Sequence, residues 1–306
     1  MARVWRKRGS PGAHPGPPFR GDVTRVLACA LMVLLAACAG PSRRADEAAV
    51  RGGLNPLILR GGKFRLQAYA ARGSQPGPLV VILDGDGSPW IDGGRRVAAD
   101  PTPRVPLALE LAIETHAPVL YLGRPCYFDL QRGALCSPVL WTSHRYSREV
   151  VDSLVDAADR YAAAHHFRRI LLVGYSGGGT LAALMTRTMP RVTGLVTIAG
   201  NLDPRAWARW HHYLPLTGSL DPAEEPPPPG LPQWHLIGRR DTNVPIQVVR
   251  RYFAAQPSAQ VWRYRDFNHV CCWVRIWPSA FERILEQLRV GKQRQSTSLA
   301  TMSRTL

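Results

Sequence analysis

One stretch leaves this chain few ways to fold: R-I-L-L-V-G-Y-S-G-G-G-T-L-A-A-L-M, from Arg169 to Met185. Ile170 to Val173 is a short unbroken apolar run, the pattern of a parallel strand buried on both faces. Leu181, Leu184 and Met185 fall three and four residues apart, which gives a helix one apolar face. Ser176 therefore sits on the corner between strand and helix. Gly174 and Gly178, two residues either side of it, leave room for a tight turn whose central residue is strained and whose flanks pack closely. The turn lifts the serine hydroxyl clear of the sheet, with the positive end of the helix beneath it.

The sequence around this corner alternates strands and helices, so a mostly parallel α/β sheet covered by helices on both faces is expected. Phe64 to Tyr69 alternates as an edge strand does, and Leu79 to Leu83 reads as a buried strand. The latter runs into Asp84-Gly85-Asp86-Gly87. In so short a loop D-G-D-G can be a plain turn or a fragment of a calcium loop. Its glycines also let backbone N–H groups turn toward a developing negative charge, and the N–H groups of Asp86 and Gly177 are the expected pair. Leu107 to Thr115 predicts a helix and Ala117 to Leu122 a strand. Tyr146 to His165 is the long helix before the serine corner, and Gly194 to Ala199 and Gln233 to Gly238 are further strands.

Asp241 lies just past the 233–238 strand. A helix around Ile246 to Ala255 follows, then a last strand from Ala259 to Tyr264, and His269 comes five residues after it. A serine hydroxyl is a weak nucleophile at neutral pH, and it needs a base that is itself oriented by an acid. Ser176, Asp241 and His269 each follow a strand end and supply those three types. His116, His144, His165, His166, His211 and His212 do not follow the final strand. The segment from Pro204 to Pro232 breaks the strand–helix rhythm with Trp207, Trp210, Tyr213 and four consecutive prolines. At the C-terminal edge of a parallel sheet it is placed as a lid or substrate wall, or as a passive excursion. A final helix is expected from Ala280 to Val290, closing a domain of residues 61–290, and the polar residues 291–306 are expected to be a disordered tail.

The net charge of +17 raises nucleic acid as a partner, but the arginines are scattered singly or in pairs, with no basic stripe or zinc spacing. The sequence points to a solvated arginine-rich surface suited to anionic lipid headgroups, with no nucleic-acid partner. Residues 1–22 are rich in Arg, Gly and Pro, whereas Val26 to Ala37 is an apolar run too short to span a bilayer comfortably. The leader before that run is long, and a translation start near Val23 would account for it. Residues 1–37 read as a signal peptide, and Leu35-Ala36-Ala37-Cys38 resembles the lipobox of bacterial lipoproteins. That resemblance implies a diacylated Cys38 at the mature N-terminus and, with Ala39 following, an outer-membrane anchor facing the periplasm. Residues 38–60 would then be a tether.

With the strand–corner–helix, the D-G-D-G loop and the ordered acid and histidine in place, residues from about 62 to 290 resemble the α/β-hydrolase superfamily. The fragments G-R-P-C, W-T-S-H-R-Y, N-L-D and N-H-V-C-C-W are similar to an uncharacterised proteobacterial group of α/β-hydrolase lipoproteins. The resemblance implies a monomeric serine hydrolase with no cofactor or metal. It would cleave small carboxylic esters through an acyl-enzyme, with thioesters and short peptides within the same chemistry. A lipid-anchored binding or scaffold protein that has lost turnover would carry the same fold. Some members of the superfamily take the acid from the preceding strand end, which makes Asp203 the alternative to Asp241. In an oxidising compartment the cysteines other than Cys38 in the domain can bridge. Cys126 with Cys136 and Cys271 with Cys272 is the favoured pairing of the three possible.

Overall fold

The computed structural model describes residues 40–130 and 133–302, with side chains to residue 290. The signal peptide, the start near Val23 and Cys38 lie outside the described residues. A helix α1 (Pro41–Arg51) leads into strands β1 (Asn55–Gly61), β2 (Phe64–Ala71) and β3 (Leu79–Leu83). A small hairpin, β4 (Trp90–Ile91) and β5 (Arg96–Val97), precedes α2 (Leu107–Ile113), β6 (Val119–Leu122) and α3 (Arg148–Ala164). Then come β7 (Ile170–Tyr175), α4 (Gly177–Met185), β8 (Val192–Ile198) and α5 (Pro204–Trp210). The chain continues through β9 (Gln233–Gly238), α6 (Arg250–Ala255), β10 (Gln260–Tyr264) and α7 (Trp273–Met302).

The main sheet has eight strands in the order β1-β2-β6-β3-β7-β8-β9-β10. From β6 to β10 every pairing is parallel, and only β2 runs against its two neighbours. Every residue of β3, β6, β7 and β9 is buried, as continuous apolar runs in a covered parallel sheet require. The crossover from β3 to β6 moves one way along the sheet, and that from β6 back past β3 to β7 moves the other. Right-handed connections therefore put α2 and α3 on opposite faces. Among the described residues α2 packs with α7, and α3 with α4.

Three expectations are corrected. The strand expected at an edge, β2, is internal, paired with β1 on one side and β6 on the other. Residues 41–60 are folded. Within the expected tether, Gly52-Gly53 ends α1 in a Schellman turn: Gly53 has φ +78°, Leu54 N–H donates to Ala49 O, and Gly53 N–H to Val50 O. The side chains that α1 buries are only Ala45 and Ala49, so its packing face carries little apolar signal. β1 is an edge strand, where Pro56 is tolerated, and it pairs along its whole length with β2. The third correction concerns the C-terminus, where the backbone stays helical from Trp273 to Met302, through residues 291–302 of the expected tail. No helix of the described residues is long and apolar enough to cross a membrane.

Candidate active site

Ser176 has φ +51° and ψ −120°, a conformation that L-residues avoid and that persists only where the surroundings enforce it. Ser176 N–H donates to Ile198 O at the end of β8, and Ser176 O accepts from Gly179 and Asn201 N–H. A Cβ at Gly174 would collide with the Gly178 carbonyl, and one at Gly178 with the Leu83 carbonyl, so strand, corner and helix pass too closely for side chains. Ser176 itself is half-buried.

The structure brings the three expected residues together. His269 Nε2 lies 2.9 Å from Ser176 Oγ, and His269 Nδ1 lies 2.8 Å from Asp241 Oδ2. The Asp241 side chain is fully buried, and its Oδ1 accepts from Asn243 N–H (2.9 Å) and Val244 N–H (2.8 Å). The imidazole is fixed through its own backbone, because His269 O accepts from Tyr175 Oη (3.1 Å) and Trp273 Nε1 (3.0 Å). Asn268 Oδ1 holds the next turn through Val270 and Cys271 N–H. Asp203 is engaged elsewhere: its carboxylate caps α5 through Ala206 N–H (2.8 Å) and pairs with Arg251 (2.9 Å).

The loop after β3 is held differently. Asp84 is buried against Gly85 N–H (2.8 Å) and Tyr121 Oη (3.2 Å), and burial, only partly offset by these donors, raises its carboxyl to about 6. Asp86 Oδ1 pairs with Arg124 Nη1 and Oδ2 with Arg145 Nη1, each at 2.9 Å. Tyr146 Oη donates to the same carboxylate at 2.7–2.8 Å, and Tyr127 Oη donates to the Asp86 carbonyl at 2.9 Å. Burial would raise the Asp86 carboxyl, but Arg145 and Arg124 outweigh it and hold it below the usual carboxylate range. The sequence pattern assigns no role to these two arginines and two tyrosines, although Arg124, Arg145 and Tyr146 stand in the fragments G-R-P-C and W-T-S-H-R-Y. One signal was available: Arg124 is the second residue after β6, at the same sheet edge as the loop after β3 and the serine corner.

Asp86 and Gly177 are neighbours, because a Cβ at Gly177 would run into the Asp86 carboxylate and the Tyr146 hydroxyl. Neither backbone N–H has an acceptor among the described residues. Disulfides join Cys126 to Cys136, with Cα atoms 5.4 Å apart, and Cys271 to Cys272. The 204–232 segment joins the turn that carries Asp241 to the one that carries Tyr146. His211 Nε2 and Trp207 Nε1 bond Asn243 beside Asp241, while Ser219 Oγ and Leu220 N–H bond Ser143 and Tyr146. A cavity of about 770 Å³ lies at the far edge, where β3, β7, β8 and β9 begin, lined among others by Pro78, Arg169, Val192 and Pro232. It is remote from the serine.

No family model and no curated protein matches this chain. Solved structures do. An esterase of Pyrococcus furiosus is similar with a TM-score of 0.53 at 15% identity, over 77% of this chain and 89% of its own. A bacterial membrane phospholipase A has a TM-score of 0.53 at 17% identity, over 87% and 99%. An α/β serine hydrolase without a lid from Xanthomonas campestris has 0.51 at 15% identity, over 76% and 95%. At these identities the likeness is one of architecture, and with the sheet order and the corner after β7 it leads to one conclusion: the chain has the α/β-hydrolase fold.

Proposed function

We propose that this protein is a serine hydrolase that cleaves small-molecule carboxylic esters through an acyl-enzyme. The observation that carries the reading is the unbroken hydrogen-bonded chain from Ser176 Oγ through His269 to the buried Asp241 carboxylate. With its Nδ1–H directed to Asp241, His269 is free to take the serine proton at Nε2 as Oγ attacks the ester carbonyl. Asp241 orients the ring and stabilises the imidazolium. The resulting oxyanion is met by the Gly177 and Asp86 N–H groups, which are otherwise unspent. His269 then gives its proton to the departing alcohol. Water attacks the acyl-enzyme by the reverse path, returning Ser176 and releasing the acid.

The similarity to an esterase and to a membrane phospholipase A supports the reaction class. The same reading takes the protein as an envelope lipoprotein anchored through Cys38, on the lipobox-like L-A-A-C. Its first test is labelling by a fluorophosphonate probe and turnover of p-nitrophenyl esters of graded chain length. Both are expected in the wild type and lost in Ser176→Ala. A folded wild type that neither labels nor turns over would favour the catalytically silent binding protein. Incorporation of a fatty-acid label that is lost in Cys38→Ala tests the anchor.

A further inference from the structure

Asp86 is held on every side but one. Its carbonyl accepts from Tyr127 Oη, one carboxylate oxygen is shared by Arg124 and Tyr146, and the other by Arg145 and Tyr146. What remains is its N–H. The guanidinium groups that surround it are themselves buried, 3% and 6% exposed, and Arg145 is fixed at its other end by Nε donating to Thr142 O at 2.7 Å. The Arg124 guanidinium lies over the rings of Tyr127 and Tyr146, at 5.7 and 5.5 Å. Its Nε and Nη2 have no hydrogen-bond partner among the described residues.

Such an arrangement is expensive as mere structure. A buried guanidinium with two unspent nitrogens forfeits hydrogen bonds it would make in water, and paired charges in an interior seldom repay their desolvation. It also sits where a lone carboxylate would do harm, since a negative charge against Gly177 would repel an oxyanion forming there. Two arginines to one aspartate reverse the sign of that local field.

We propose that Arg124, Tyr127, Arg145 and Tyr146 are positioning residues of the oxyanion site. They clamp Asp86 by its carbonyl and carboxylate so that its N–H faces the site, and the two guanidinium groups leave the site with net positive charge. This rests on the reading of Ser176 as a nucleophile that generates an oxyanion. It extends that reading to four side chains that make no hydrogen bond to the serine, and it explains why glycine follows the serine: the Asp86 carboxylate occupies the space of a Gly177 side chain.

The test uses the full chain and two variants of different severity. Tyr127→Phe removes one hydroxyl and keeps the ring, and Arg145→Gln removes one charge, with Arg145→Lys as its rescue. Active sites are counted by fluorophosphonate titration, so that turnover is expressed per competent serine and misfolded protein drops out. The expected result is a kcat about 10- to 100-fold lower in Tyr127→Phe and Arg145→Gln, with KM within about twofold. The inhibition constant of a trifluoromethyl ketone, which forms a tetrahedral oxyanion adduct on the serine, should rise by the same factor. Arg145→Lys should regain part of the loss. Unchanged kcat per site with unchanged ketone affinity in both variants would overturn the clamp while leaving the nucleophile assignment standing. Failure of the wild type to label overturns the nucleophile, and the clamp with it.

Discussion

Asp241 and Asp86 both serve the neighbourhood of Ser176, but they are held in opposite ways. Asp241 is fixed by the backbone of its own turn, through N–H groups two and three residues further on. Asp86 is fixed by side chains 38 to 60 residues away, reached only when β3, β6 and the start of α3 have packed together. Such local Asx-type bonds form wherever the turn forms, so the acid arm is a property of a short sequence. The Asp86 arm is a property of the folded sheet. The two arms should therefore respond differently to substitution: the first through chemistry alone, the second through chemistry and packing together.

The largest effect is expected at the acid arm. Asp241→Asn keeps the turn but removes the charge that orients and stabilises the imidazolium, and a loss of about 10⁴-fold in kcat is expected from that role. Asp203→Asn is the control for the same chemistry at the neighbouring strand end. Its carboxylate caps α5 and pairs with Arg251 rather than His269, so thermal stability should fall and turnover should stay within about threefold. Steady-state kinetics on both variants decide the matter. Near-wild-type turnover in Asp241→Asn would break the assignment.

At the other arm, Gly177→Ala puts a methyl group where the Asp86 carboxylate and the Tyr146 hydroxyl already are. Because the carboxylate is clamped from both sides, the collision must displace the loop, and one oxyanion donor with it. A fall of about 10²- to 10³-fold in kcat is expected, with an overpacking cost of about 1–3 kcal/mol in urea denaturation. If turnover survives while stability drops, the loop after β3 is compliant and the contrast between the arms fails.

The same contrast explains what could be read from the sequence. Ser176, Asp241 and His269 were legible because each follows a buried strand and carries its chemistry within a few residues of that strand's end. The proposed oxyanion donors, Asp86 and Gly177, were nominated on the same ground, and the structure places the two side by side. Arg124, Tyr127 and Arg145 were not legible, since they lie in irregular segments with no period, and Tyr146, expected to open the long helix, lies in the turn before it; the four meet only in three dimensions. In the fold, the covered strands announced themselves by continuous apolar runs, and β3 and β9 have the expected limits. α1 and β1 were hidden by their composition. A helix that buries alanines and an edge strand with an early proline look like a polar tether until β2 supplies the partner.

His235 sharpens the comparison from outside the site. It lies on β9, the strand that leads to Asp241, and like Asp86 it is held by other side chains: Thr197 Oγ1 at 2.7 Å and Gln233 Oε1 at 3.2 Å, with the Tyr252 ring beside it. If distant side-chain support by itself marked a functional group, His235 would matter to turnover. It should not, because its ring bonds Thr197 and Gln233 and neither Ser176, Asp86 nor Gly177. Burial lowers its pKa from the ordinary 6.5 to about 3. Between those values the unfolded chain takes up a proton that the folded one refuses, so the contribution of His235 to stability is complete above pH 6.5 and is lost progressively as the pH falls toward 3. One such proton gives a slope of up to about 1.4 kcal/mol per pH unit. Asp84, raised to about 6, works the other way, because its folded form holds a proton that the unfolded form releases between about pH 4 and 6. Comparing His235→Gln with the wild type cancels that opposing contribution. The variant should keep kcat at pH 8 within about twofold and lose less stability between pH 6.5 and 4.5 in urea titrations. A variant with the wild-type acid slope would remove His235 as the source of acid sensitivity. One with intact stability and collapsed turnover would show that side-chain networks remote from Ser176 tune this site.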